Sequence, residues 1–423
     1  MRALLTFILC LPALLCHGQE AGKMQWFQDA KLGIFIHWGI YAVDGVSESW
    51  SFHNGQVSYE DYMAQARRFT ASAYKPQEWA DLIAQSGARY TVITSKHHDG
   101  MALWDTKADG KSLVRMSPAG RDLLTPFADA VRSRGLKLGL YYSLIDWSHP
   151  DYPNQFSQGP ARYDIAADPA RWQRFLDFDN AQLAELTSRF RPDLWWFDGD
   201  WEQTAETWRA REIAEKLRAD NPACIINSRI QGYGDYGTPE IGVPVVRPAE
   251  RYWELCYTIN DSWGFQHKDL NFKSPQMVLR TLVDCISNGG NLLLDIGPRE
   301  DGTIPEEEVA VLKELGRWTS KHSEAVYGTR AGIPGDHVKA YTSLNAAGDV
   351  LYIYLPYKPV GPVEVKGLVN NVRNIRVVGS KAAPQWKVFN KLSWSEVPGL
   401  LEITVPDEAL DSAITVQIGR AHV

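Results

Sequence analysis

The sequence predicts an α/β protein, a (β/α)8-type (TIM-like) barrel followed by a smaller C-terminal antiparallel β-sandwich. Three observations carry that expectation. From about residue 30 to 325, short apolar runs alternate with amphipathic helical stretches, and several runs are almost wholly apolar, as strands buried on both faces must be. Most of these runs end in polar residues, so polarity gathers at one end of otherwise oily strands. After Ser323–Arg330 the texture changes to short alternating β segments separated by turn signals.

In chain order, "MRALLTFILCLPALLCHGQE" comes first and reads as a signal peptide over residues 1–18. Arg2 is the charged start, Ala3–Cys16 the apolar core and Gly18 a small residue for cleavage. The core is too short for a membrane span, which takes about 20 residues. Leu15 sits where lipoprotein processing at Cys16 wants a small residue, so export to the periplasm or the medium is expected. Beyond the leader only Cys224, Cys256 and Cys285 remain, an odd number without metal-like spacing. They are expected as buried thiols with at most one disulfide.

The strand candidates are Leu32–Gly39, Tyr90–His98, Lys137–Ser143, Leu194–Asp200, Ala223–Arg229, Tyr252–Ile259 and Asn291–Pro298. The helices between them have recognisable ends. "KPQEWADLIAQSG" carries Pro76 near its start and Gly87 as a stop, and "RDLLTPFADAVRSRG" ends at Gly135. A third opens with Asp168 as cap and Pro169 in its first turn. The number and length of these units favour a closed barrel over residues 19–329 rather than an open sheet. "VKAYTSLNAAGDVLYIYLPY", "VNNVRNIRVVG", "WKVFNKLSWSEV" and "LLEITVPD" then build the sandwich over residues 330–423.

Composition narrows the partners. A net charge of −7 with no lysine- or arginine-rich run argues against nucleic acid, which needs a basic surface. No strand is followed by a G-x-G-x-x-G or P-loop pattern, so a nucleotide fold has no support. Nothing after the leader resembles a membrane span. Sixteen Trp and eighteen Tyr suit a carbohydrate site and equally a large core.

A barrel enzyme builds its site from the C-terminal ends of its strands. Those ends carry His37 and Trp38, His97, His98 and Asp99, Tyr141 and Tyr142, Asp198 and Asp200, Asn227 and Arg229, Glu254, and Asp295. Asp198 in "WWFDGDWE" follows a hydrophobic run and precedes a glycine; it reads as a nucleophile or as a turn aspartate. His97 and His98 could ligate a metal together only if their strand has already ended, because adjacent strand residues face opposite ways. Hydrogen bonding to sugar hydroxyls, with one ring facing the site, fits them better. Glu240 lies in the Gly- and Pro-rich loop "GDYGTPEIGVP" and could reach over a substrate or simply be solvated. Glu254, inside "YWELCYTI", is expected to be buried and so either paired with an arginine or protonated, and Glu48 in "SESW" is a third acid.

The motifs "KLGIFIHWGIYAV", "SKHHDGMALWDT", "RGLKLGLYYSLIDW", "PDLWWFDGD", "TINDSWGF" and "NGGNLLLDIGPREDGTIP" together resemble the retaining α-L-fucosidases, glycoside hydrolase family 29. The resemblance runs from about Trp26 to Thr329. It implies a barrel followed by a β-sandwich, no cofactor and no metal, and a fucosylated oligosaccharide or glycoconjugate as substrate. It makes Asp198 the nucleophile and assigns sugar binding to His37, His97, His98 and Tyr142, with Trp196 and Trp263 shaping the pocket. Arg229 would approach the nucleophile or the sugar. The "TPE" pattern favours Glu240 as acid/base, with Glu254 the alternative and Glu48 a binding residue. Asp99 stands where many relatives carry glutamate. Three other readings stay open: another retaining glycosidase such as an α-galactosidase, a zinc-dependent hydrolase using His37, His97, His98 and Asp198, or a catalytically silent sugar-binding protein in which Glu240 is a loop residue. Linkage preference and oligomeric state are not legible.

Overall fold

A computed structural model describes residues 22–392, 394 and 398–422. The expected leader and Cys16 lie outside the described residues. Seven parallel strands form one curved sheet: β1 (Leu32–Ile36), β2 (Tyr90–Lys96), β3 (Lys137–Ser143), β4 (Leu194–Asp198), β5 (Ile225–Ile226), β6 (Glu254–Thr258) and β7 (Asn291–Ile296). Their order is β5-β4-β3-β2-β1-β7-β6, so the first and last strands of the chain segment meet as β1–β7 neighbours. Every residue of β1, β2, β4 and β7 is buried, because helices cover the outside while side chains fill the inside. Each buried aliphatic or phenyl side chain contributes about 1.5–3 kcal/mol by leaving water.

The gap between β5 and β6 is the eighth barrel position, and no regular strand fills it. Residues 236–240 bridge it through single parallel contacts, Asn227 with Tyr236, Gly237 with Trp253, and Glu240 with Cys256. Pro239 has no N–H to give and Gly237 brings no side chain to pack, so a continuous ladder cannot run there. The same irregular segment carries Glu240 to the rim.

Local signals account for the helices. Asp168 accepts from the Arg171 N–H at the start of helix Pro169–Phe190, which satisfies one of the unpaired donors of its first turn. Pro76 opens helix Pro76–Gln85. The helix predicted to end at Gly135 spans Leu124–Ser133, and Gly135 follows with φ of 70°.

Beyond the barrel lie two antiparallel sheets. One has five strands, ordered β12 (Asn371–Val377), β15 (Thr415–His422), β10 (Val350–Leu355), β9 (Tyr341–Leu344) and β8 (Arg330–Ala331). The other has three, ordered β11 (Val363–Leu368), β14 (Gly399–Thr404) and β13 (Gln385–Phe389). Ile353, Val365, Ile375, Leu401 and Ile403 fill the space between them. The sandwich is fastened to the barrel by Trp318 Nε1 donating to the Ile414 carbonyl at 2.8 Å and by Arg317 paired with Asp411. Three strands fell outside the segments picked from sequence, the two-residue β8 among them. β11 buries only Val365 and breaks its register between Lys366 and Leu368, and β15 buries Gln417 among its apolar residues. Cys224, Cys256 and Cys285 are free thiols and all are buried.

Candidate active site

A cavity of about 180 Å³ opens at the C-terminal ends of the barrel strands. Its polar wall is His37, Glu48, His97, Tyr141, Asp198, Arg229 and Glu240; its apolar wall is Phe35, Trp50, Trp196, Trp201 and Trp263. The pleat explains much of this list. Phe35 lies two residues before His37, and Trp196 two before Asp198, so each pair shares a strand face.

Asp198 closes β4 and is 8% exposed. Gly199 turns the chain there at φ of 86°, and a Cβ at that position would fall 2.8 Å from Ile145 Cγ1. The carboxylate is held from two sides. Tyr141 OH donates to Oδ2 at 2.9 Å, and Arg229 Nη1 donates to Oδ1 at 2.9 Å. The same guanidinium gives its Nη2 to Glu240 Oε2 at 2.5 Å and its Nε to Thr238 Oγ1 at 3.1 Å. Its plane lies over Trp196, 4.6 Å from the ring centroid. Two carboxylates clasped by adjacent nitrogens of one guanidinium are close neighbours facing one cavity.

The three histidines are each fixed from behind through Nδ1. His37 meets Asp295 Oδ1 at 2.7 Å, His97 meets Ser49 Oγ at 2.5 Å, and His98 meets Ser143 Oγ at 2.5 Å. β2 ends at Lys96 after a register irregularity, so His97 and His98 have left the pleat and their rings lie 4.3 Å apart. His97 lines the cavity; His98 sits behind it with Nε2 3.6 Å from Asp198 Oδ2. Burial is the largest reason that all three titrate well below the usual histidine value. Among the described residues, no three His, Cys, Asp or Glu side chains are arranged to hold a metal ion.

Two expectations are overturned. Tyr142 does not face the sugar side. Its neighbour Tyr141 points inward, so Tyr142 points outward, where it donates to Asp179 Oδ1 at 2.7 Å and receives Lys96 Nζ at 2.9 Å. Glu254 does not hold an arginine. It is fully buried inside the barrel, accepting from Tyr90 OH at 2.5 Å and from Trp196 Nε1 at 2.9 Å, and does not line the cavity. Burial pushes its carboxyl up to about 7. Glu48 does reach the cavity; it accepts from the Gly264 N–H at 2.6 Å, and burial raises it also to about 7. Asp99 is taken by Tyr62 OH and the Met101 N–H. Asp200 accepts from the Gln231 N–H, and Glu202 from Trp147 and Tyr152, so both brace loops.

Phe35, Trp50 and Trp201 line the cavity without having been picked from sequence, and Tyr141, one of the strand-end residues, does so where its neighbour Tyr142 was expected. Signals existed for three of them: Phe35 shares a face with His37, and Trp50 and Trp201 stand within three residues of Glu48 and Asp198.

The chain matches a family profile described as alpha-L-fucosidase over residues 17–324. The chain belongs to the α-L-fucosidase family. It is 31% identical to the tissue alpha-L-fucosidase of Macaca fascicularis, covering 72% of this chain and 69% of that enzyme. Among solved structures, alpha-L-fucosidase isoenzyme 1 from Paenibacillus thiaminolyticus superposes with a TM-score of 0.86 at 31% identity, covering 96% of this chain and 100% of that one. A Bacteroides thetaiotaomicron α-L-fucosidase of family GH29, solved as a trapped covalent intermediate with 2-fluoro-fucosyl fluoride, gives 0.84 at 25% identity, covering 95% and 96%. Family membership thus extends over the barrel and, in structure, over the sandwich of this α-L-fucosidase family member.

Proposed function

We propose that this protein is an exo-acting, retaining α-L-fucosidase that removes terminal α-L-fucosyl residues from glycans. Arg229 clasping Asp198 and Glu240 at the mouth of one small cavity is the observation that carries this reading. Retaining glycosidases need two carboxyl groups about 5–5.5 Å apart, close enough for direct attack without an intervening water. In the first step one Asp198 oxygen bonds to the anomeric carbon as the glycosidic bond breaks, and Glu240 gives its proton to the leaving oxygen. In the second step water loses a proton to Glu240 and attacks the same carbon, releasing fucose with its configuration retained and Asp198 free. The two carboxyl groups supply nucleophile and proton between them.

The cavity walls support the substrate class. About 180 Å³ is well below the roughly 300–1,000 Å³ of sites for drug-sized ligands, and so suits one sugar ring entered from its end. The five aromatic side chains suit the C6 methyl that L-fucose carries where most hexoses carry a hydroxyl, and His37, His97 and Glu48 suit its hydroxyl groups. An α-galactosidase would need a polar partner at that methyl. The leader composition supports export to the periplasm or the medium, which cell fractionation checks. Hydrolysis of a panel of aryl glycosides, with the released sugar's anomeric configuration followed by proton NMR, tests the function. Turnover of the α-L-fucoside with retention is expected. Inversion, or a preference for the galactoside, would sink it.

A further inference from the structure

We infer that Ser143 is a positioning residue for this reaction: it holds His98 as the Nδ1–H tautomer, so that the bare Nε2 lone pair faces Asp198 and gives the nucleophile no third donor. The inference rests on the proposed role of Asp198.

A serine hydroxyl has one hydrogen to give. Ser143 Oγ lies 2.6 Å from the Ile145 carbonyl, which can only accept, so the hydrogen is spent there. Toward its other neighbour, His98 Nδ1 at 2.5 Å, the oxygen must therefore accept, and Nδ1 carries the proton. Burial, then the nearby His53, Lys96, His37 and Arg229 charges, keep the ring neutral. A neutral imidazole has one N–H, so Nε2 is bare. That atom is buried, has no hydrogen-bond partner and sits 3.6 Å from Asp198 Oδ2.

The placement is built into the fold. Ser143 ends β3 between the two strands concerned and pairs in register with Asp198 on β4. The segment that follows ties both neighbours down, with the Leu144 N–H donating to the Asp198 carbonyl and the Trp147 N–H to the His98 carbonyl, each at 2.9 Å. The consequence is chemical. Asp198 already accepts from Tyr141 and Arg229; an Nε2–H would add a third donor and lower its reactivity toward carbon. With Nε2 bare, the carboxylate keeps the reactivity that its two donors leave it.

Nitrogen-15 NMR of His98 in the full-length enzyme, with Ser143→Ala and Ser143→Thr variants, tests this. The wild type and the threonine variant should show Nδ1–H. The alanine variant should show Nε2–H, with kcat/KM down about 10–100-fold, the size typical of removing a ligand's supporting partner, and with its thermal midpoint little changed. An Nε2–H wild type overturns the assignment. So does an alanine variant with unaltered tautomer and rate. An inactive wild type with an Nδ1–H ring overturns the fucosidase reading, and the role in the reaction with it, while leaving the tautomer standing.

Discussion

Asp198 at the barrel rim and Glu254 in the barrel interior are both carboxylates on parallel strands, and Trp196 touches the surroundings of both. Its indole N–H donates to Glu254 at 2.9 Å, while its face carries the Arg229 guanidinium that grips Asp198. The two acids nevertheless live by different rules. Asp198 meets a cavity and a fixed positive charge. Glu254 is hydrogen-bonded by neutral donors, Tyr90 OH and Trp196 Nε1 among them, and burial raises it to about 7. What separates them is depth: a charge at the rim can be paired and put to use, whereas an acid sealed in the interior is stabilised by giving up its charge.

That contrast can be broken by mutation. Asp198→Asn keeps shape and removes the nucleophile, so kcat should fall by about 10⁴-fold or more while the protein stays folded; steady-state kinetics on an aryl fucoside reads it. Arg229→Lys should follow, with kcat/KM down about 10²–10³-fold, because a lysine cannot fork to two carboxylates at once. A loss under threefold would mean the clasp is incidental.

Glu254→Gln should touch stability rather than chemistry, leaving kcat/KM within a few-fold and costing about 1–3 kcal/mol, since one donor then faces an NH₂ group. The cost should depend on pH. Glu254 has a folded value of about 7 against an ordinary 4.5, so between those values the folded state binds more protons. Wild-type stability from this group is fully present below about 4.5 and is lost as pH rises toward 7, by up to about 1.4 kcal/mol per unit. Glutamine does not titrate, so the gap between the two proteins should narrow from pH 5 to 7.5 in urea melts. A pH-independent gap would mean that Glu254 is ionised in the fold.

The smallest effect should separate two adjacent tyrosines. Tyr141→Phe removes a donor to Asp198 and should cost about tenfold in kcat, whereas Tyr142→Phe should leave kcat unchanged and cost about 1 kcal/mol of stability.

The same depth rule marks what could be read from sequence. Strands such as "LWWFDGD" were legible because full burial leaves an apolar run with a polar end, and that end placed Asp198, His37 and His97 correctly. The choice between Tyr141 and Tyr142 was not legible, since the run carries no alternation to say which ring faces inward. The eighth barrel position left no strand signal because Gly237 and Pro239 bridge it without a ladder. Nor could spacing reveal the clasp between Arg229 and Glu240, which depends on how that irregular segment returns to the rim. β11 escaped because its alternation, Val363-Glu364-Val365-Lys366, is short and breaks at Gly367, where the register also shifts.

The most direct test of the whole account is to trap the covalent sugar. Incubating the full-length protein with 2-fluoro-fucosyl fluoride, then digesting and mapping by mass spectrometry, should place one fucosyl adduct on the peptide containing Asp198. An adduct on another carboxylate, or none while the enzyme turns over fucosides, would contradict the assignment of Asp198 as the nucleophile.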